Sequence, residues 1–85
     1  MPEERIGRVT EYFARIGVAG IQITDGSLRV GDTIHIKGHT TDFQQVVDSI
    51  QVEHQVVQEA GPGTLVGMKV RDRVRAHDVV YKVVG

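Results

Sequence analysis

Residues 25–38 read DGSLRVGDTIHIKG, and the placing of small and apolar residues in this run decides the fold class. Asp25-Gly26 and Gly31-Asp32 are dipeptides that accept positive φ at tight turns. Between the second of them and Gly38, Ile34 and Ile36 alternate with Thr33, His35 and Lys37. A strand over 33–37 therefore buries its isoleucines on one face and turns His35 to the other.

The same pattern runs outward in both directions. Toward the amino terminus, Ile6, Arg8, Thr10 and Tyr12 alternate with Gly7, Val9, Glu11 and Phe13, up to a break at Ala14-Arg15-Ile16-Gly17. That predicts a first strand and a turn, and Val18 to Thr24 reads as a second strand. Beyond Gly38 a GHTTD loop leads into Phe43 to Val57, where Val46-Val47 and Val56-Val57 sit adjacent and interrupt the alternation. One long strand, bent or bulged, accommodates this run, with a helix over TTDFQQVVDSIQ as the competing reading. EAGPGT at 59–64 is a turn, Leu65 to Val70 a fifth strand, Arg71 to His77 a connection, and Val79 to Val84 the last strand. Six short strands at even intervals predict an all-β, six-stranded closed barrel of Greek-key type, in which closure removes exposed strand edges.

Composition sets the outer limits. The 85 residues form a single domain, 1–85, with one core and no repeat or linker. With no cysteine there is no disulfide framework, thiolate metal site or cysteine nucleophile, which suits a reducing cytosol. The start, MPEERIGRV, is acidic where a signal peptide is basic and then apolar, and no apolar run reaches the length of a membrane span. A soluble cytoplasmic protein without membrane association is the expectation. Ten basic residues against eleven acidic ones give a net charge of -1, so any contact with RNA must be local.

Four groups of residues carry possible chemistry. His35 and His39, with Asp42 behind them, have a spacing seen in metal sites. Residues four apart on a strand, however, lie about 13 Å apart, so no metal or other cofactor is expected, and His39 to Asp42 reads as a polar loop. Glu53 and His54 are adjacent on a strand and face opposite ways, which disfavours acid-base catalysis; no enzyme activity is expected. Lys69, Arg71, Arg73 and Arg75 alternate with Met68, Val70, Asp72 and Val74. If extended, they form a basic stripe able to follow a phosphate backbone. Tyr12 and Phe13 point to opposite faces, with Phe13 assigned to the core and Tyr12 to a surface where it can stack on a base.

Taken together, DGSLRVGDTIHIKG, VDSIQVEHQVVQEAGPGTLVGMKV and RAHDVVYKV resemble the second, β-barrel domain of translational GTPases of the elongation factor Tu type. Gly26, Leu28, Gly31, Asp32, Ile34, Ile36 and Gly38 fill the first part of that pattern. Val47, Ser49, Ile50, Gly63, Val66, Gly67, Val70 and Asp78 fill the rest, over roughly residues 5 to 84. No phosphate-loop motif is present, so the resemblance is to a free-standing barrel that binds no nucleotide. It implies a non-catalytic module that contacts transfer RNA, ribosomal RNA or the ribosome. The implied binding side lies at Tyr12, Phe13 and Arg15, at Gln51 to His54, and near Leu65. Gln51, His54, Leu65 and Gly20-Ile21-Gln22 depart from the residues usual in that family.

The expectation for function is thus a translation-factor-like binding module, with Tyr12, Arg15, Gln51, His54, Lys69, Arg71, Arg73 and Arg75 as candidate RNA contacts. Two alternatives stay open without nucleic-acid binding. One is a protein-interaction or self-associating barrel, and the other is an accessory domain acting beside an RNA-modifying or peptidase-like enzyme.

Overall fold

The computed structural model describes residues 2–84, and they are built of strands and turns without a helix. Ten strands follow in chain order. They are β1 (Glu3–Phe13), β2 (Val18–Ile23), β3 (Leu28–Arg29), β4 (Thr33–Lys37), β5 (Asp42–Val46), β6 (Ile50–Val52), β7 (Gln55–Val57), β8 (Glu59–Ala60), β9 (Leu65–Lys69) and β10 (Val79–Val83). Eight form one antiparallel sheet in the order β5-β4-β10-β1-β2-β9-β6-β7, while β3 and β8 pair separately. Among the described residues no helix is long and apolar enough to cross a membrane.

The all-β class stands, but two finer expectations do not. The sheet runs from an edge at β5 to an edge at β7 and is not closed by a ladder, so the six-stranded closed barrel is corrected to an open, curled sheet. The long strand expected over 43–57 is three strands, because the chain reverses between β6 and β7 at Glu53 and His54. Both of these residues have positive φ, 50° and 67°, the combination of a two-residue hairpin turn. Neither is glycine or asparagine, so the usual turn signal is missing.

Curling is what gives the sheet an inside. Ile6 and Val9 of β1, Ile21 and Ile23 of β2, and Ile34 and Ile36 of β4 meet residues of β6, β9 and β10 in a single buried cluster. A flat sheet cannot bring strands from both ends of the order together. Two register shifts in β1, between Arg5 and Gly7 against β10 and between Val9 and Glu11 against β2, supply the bend. At the first of them a Cβ on Gly7 would run into the carbonyl oxygen of Gln22.

The second bulge also decides which way the end of β1 faces. Strict alternation from the buried Val9 would turn Phe13 inward; the extra residue, Thr10, reverses the phase. Its hydroxyl donates to the Gly20 carbonyl at 3.2 Å. Tyr12 consequently packs against the core, and Phe13 is 47% exposed. The assignment of Phe13 to the core and Tyr12 to the surface is therefore reversed.

Between β9 and β10 the chain does not run extended. Val74 is buried, the Val9 amide donates to the Asp78 carbonyl at 2.8 Å, and Asp78 Oδ2 accepts from the Arg75 amide at 2.9 Å. The basic stripe expected over 69–75 is broken by this bend: β9 stops at Lys69, and the three arginines sit on a folded connection.

Candidate functional site

The outer face of β1, β2, β9 and β6 carries a row of cross-strand neighbours. Glu11 pairs with Gly20, Gly20 with Gly67, and Gly67 with Gln51. The inward positions beside them, Ala19, Ile21, Val66, Met68 and Ile50, are buried, so this row faces solvent. Its two central members have no side chain, and bare backbone forms a floor between Glu11 and Gln51. Phe13, Ile16 and Val18 rise on one side of this floor and Leu65 on the other, with Glu53 and His54 of the β6–β7 turn at the rim.

The result is an open groove of about 530 Å³, within the range of about 300–1,000 Å³ common for ligand sites. Phe13, Ile16 and Leu65 are 47%, 63% and 51% exposed, which concentrates apolar surface on this face. Its carboxylates, Glu11 and Glu53, have no ion-pair partner among the described residues. Among the described residues no lysine or arginine lines it, and neither does any serine, threonine or cysteine. The groove can accept an apolar group and attract a cation, and its polar side chains are two carboxylates, an amide and an imidazole.

Only part of the expected site gathers here. Gln51 and His54 line the groove, as do Phe13 and Leu65 from the same side of the resemblance. Tyr12 is half-buried beneath the sheet, and Arg15 is exposed in the β1–β2 turn outside the groove. Lys69 and Arg71 border a second, smaller hollow of about 320 Å³ with Gln45, Val46, Asp48 and Val70. Arg71 is drawn away from any stripe, its Nη1 donating to the Gln44 carbonyl at 3.2 Å and its Nε lying 3.6 Å from Asp72. Arg73 and Arg75 are exposed on the connection. The eight candidates thus fall into separate places.

Glu11, Ile16, Val18, Gly20 and Gly67 were missed as site residues. A signal for the two glycines was present: glycine inside a strand marks a bulge or a place where something approaches the backbone closely.

His35 occupies a different kind of place. It points away from the isoleucine face, and its Nδ1 lies 2.6 Å from Glu3 Oε2 and its Nε2 2.5 Å from Asp42 Oδ1. The imidazole so joins the start of β1 to the start of β5. The Asp42 hydrogen bond raises its pKa above the ordinary 6.5, burial acts the other way, and Glu3 adds to the rise. Asp42 is held below its ordinary value, chiefly by the same bond. Each ring nitrogen faces a carboxylate, and His39 stands apart in the exposed loop. Among the described residues no three histidine, aspartate or glutamate side chains are grouped to hold a metal ion.

Comparison with known proteins places these features in context. No family model matches the chain. It is 38% identical over 78 residues to a collagenase of Porphyromonas gingivalis, covering 91% of this chain and 22% of that protein. It is 42% identical over 77 residues to an uncharacterized protease of Methanocaldococcus jannaschii, covering 89% of this chain and 19% of that one. The chain spans about a fifth of the length of these curated relatives. Among solved structures, the C-terminal domain of a protein described as a U32 peptidase of Geobacillus thermoleovorans superposes with a TM-score of 0.87 at 26% identity. That match covers 94% of this chain and 92% of the domain. A selenomethionine variant of the same domain gives 0.85.

These matches overturn the resemblance to the second domain of translational GTPases, and with it the link to elongation and the ribosome. The positions that carried it, turn glycines such as Gly26 and Gly31 and alternating residues such as Ile34 and Ile36, describe curled β-sheet geometry. Such geometry serves many unrelated functions.

Proposed function

We propose that this chain is the C-terminal accessory domain of a U32-type peptidase, contributing no catalytic group and meeting polypeptide through its outer face. The reading is carried by the superposition on the C-terminal domain of the Geobacillus thermoleovorans protein along nearly the whole chain. The relatives of about five times its length, a collagenase and a protease, support it from the sequence side. So does the groove, which offers apolar walls and carboxylates without a lining hydroxyl or thiol among the described residues. A chain without cysteine suits a reducing compartment, and the proposal places the domain in the cytoplasm.

The test is a chimaera. In the Porphyromonas gingivalis collagenase the matching segment is deleted, or replaced by this chain, and hydrolysis of collagen is measured. The deletion is expected to lose activity and the replacement to restore it to within about tenfold of the parent, a difference of about 1.4 kcal/mol, while the 85-residue chain alone hydrolyses nothing. Hydrolysis by the chain alone, or a folded chimaera no more active than the deletion, would sink the accessory-domain reading.

A further inference from the structure

The groove on the outer face has a floor that the fold does not demand. Gly20 and Gly67 sit side by side in mid-strand, and neither has positive φ. Glycine there weakens a strand by roughly 0.5–1 kcal/mol relative to alanine. At Gly20 the packing supplies a reason, since a Cβ would come 3.1 Å from Thr10 Oγ1. At Gly67 it does not: a Cβ would meet only Val18 Cγ1, at an ordinary 3.7 Å. The free domain has room for alanine at 67, and what a side chain would fill is the groove.

Walls and rim specify an occupant. Phe13 and Leu65 stand exposed on either side of the floor and line the same groove, so an apolar side chain laid on the bare backbone has apolar surface at both sides. Glu11 closes one end of the glycine row and Glu53 stands at the rim, neither with a counter-ion among the described residues, while Arg71, Arg73 and Arg75 lie on the connection outside the groove. Charge complementarity calls for a cationic partner. The volume, about 530 Å³, lies in the range that holds a small ligand or a few side chains of a short segment.

We infer that this groove is a peptide-binding site. It takes an extended polypeptide segment that lays one aliphatic or aromatic side chain on the Gly20–Gly67 floor between Phe13 and Leu65, and that carries lysine or arginine beside it, facing Glu11 and Glu53. The inference rests on the accessory-domain reading, and it adds a substrate class: apolar residues flanked by basic ones.

The experiment titrates the isotopically labelled 85-residue chain with two synthetic hexapeptides, followed by amide chemical shifts. One peptide holds Leu-Phe between lysines; the other holds Leu-Phe between glutamates. The lysine peptide is expected to bind at least about tenfold more tightly, with the largest shifts at Gly20, Leu65 and Gly67. Gly67→Ala, which the fold accommodates, is expected to lower that affinity by about tenfold, and Glu11→Lys with Glu53→Lys to reverse the preference. Equal affinity for the glutamate peptide, shifts centred on Arg71 to Arg75, or no shifts at millimolar peptide would each overturn the proposal. So would self-association through the groove in the absence of peptide. An active chimaera with no peptide binding sinks the groove alone; peptide binding with an inactive chimaera sinks the accessory-domain reading alone.

Discussion

Asp78 sets its carboxylate against Gly38, in the space that a Cβ at position 38 would occupy. The two residues come from elements far apart in sequence, the end of β4 and the turn before β10. Asp78 is 5% exposed and receives the Arg75 amide on Oδ2, so it cannot swing aside without breaking the turn. Gly38→Ala is therefore expected to destabilise the domain by about 1–3 kcal/mol, as an overpacked site does. Asp78→Ala leaves the Arg75 amide unmatched and is expected to cost about 1–2 kcal/mol. The double variant should lose less than the sum of the two, because removing the carboxylate opens space for the methyl group. Urea denaturation of the four proteins decides it: strict additivity would show that the contact does not limit position 38.

The imidazole of His35, between Glu3 and Asp42, makes stability depend on pH in a definite direction. Its pKa is raised by folding, so its contribution is fully present below the free value of 6.5 and is lost as pH rises through the higher folded one. Asp42 has a lowered pKa, so its contribution is present above 3.8 and is lost as pH falls through the lower folded value. The clasp is strongest between those limits, where imidazolium faces carboxylate; Lys37 acts on Asp42 in the same sense. The denaturation midpoint is expected to be higher near about pH 5.5 than at about pH 8. His35→Gln should flatten that difference, and a His35 resonance that titrates by NMR at or below 6.5 would contradict the assignment.

What the sequence reveals, and what it hides, follows from which residues obey strict alternation. Ile34 and Ile36 do, and the strand, its buried face and the outward turn of His35 were all legible. In β1 the extra residue Thr10 shifts the phase between Val9 and Glu11, a local event that leaves no mark in an alternating pattern. Reading through it put Phe13 in the core, and so hid one wall of the groove. The reversal at Glu53 and His54 was hidden for a related reason, since the pair lacks the glycine or asparagine that marks such a turn. Gln51 and His54 were legible as site residues only through a family resemblance that proved to concern geometry. Gly20 and Gly67 acquire meaning only once pairing sets them side by side.

Gln45 draws β5 toward the end of β9 where no ladder joins them. Its Nε2 donates to the Lys69 carbonyl at 2.9 Å, and its Oε1 accepts from the Arg71 amide at 2.8 Å, as a peptide group of an intervening strand would. Gln45→Leu removes both bonds and is expected to lower stability by about 1 kcal/mol, since water can replace part of what is lost. The local effect is the larger one: exchange of the Arg71 amide should accelerate by about tenfold. Unchanged exchange at Arg71 would show that the bend at Arg71 to His77 is held by the buried Val74 alone.

Glu53 and His54 hold a hairpin turn for which they are poorly suited, and both stand at the rim of the groove. A non-glycine residue in the left-handed region costs about 1–2 kcal/mol, and such strain is retained where it serves a site. Replacing the pair by Asn-Gly, the dipeptide this turn accepts most readily, should stabilise the domain by about 1 kcal/mol or more. The same change removes the rim carboxylate and imidazole, so affinity for the lysine-flanked peptide should fall by about tenfold. Denaturation and titration of one double variant read both effects. Greater stability with undiminished binding would place the turn outside the site; lower stability would mean that these side chains hold the hairpin in a way its backbone angles do not show.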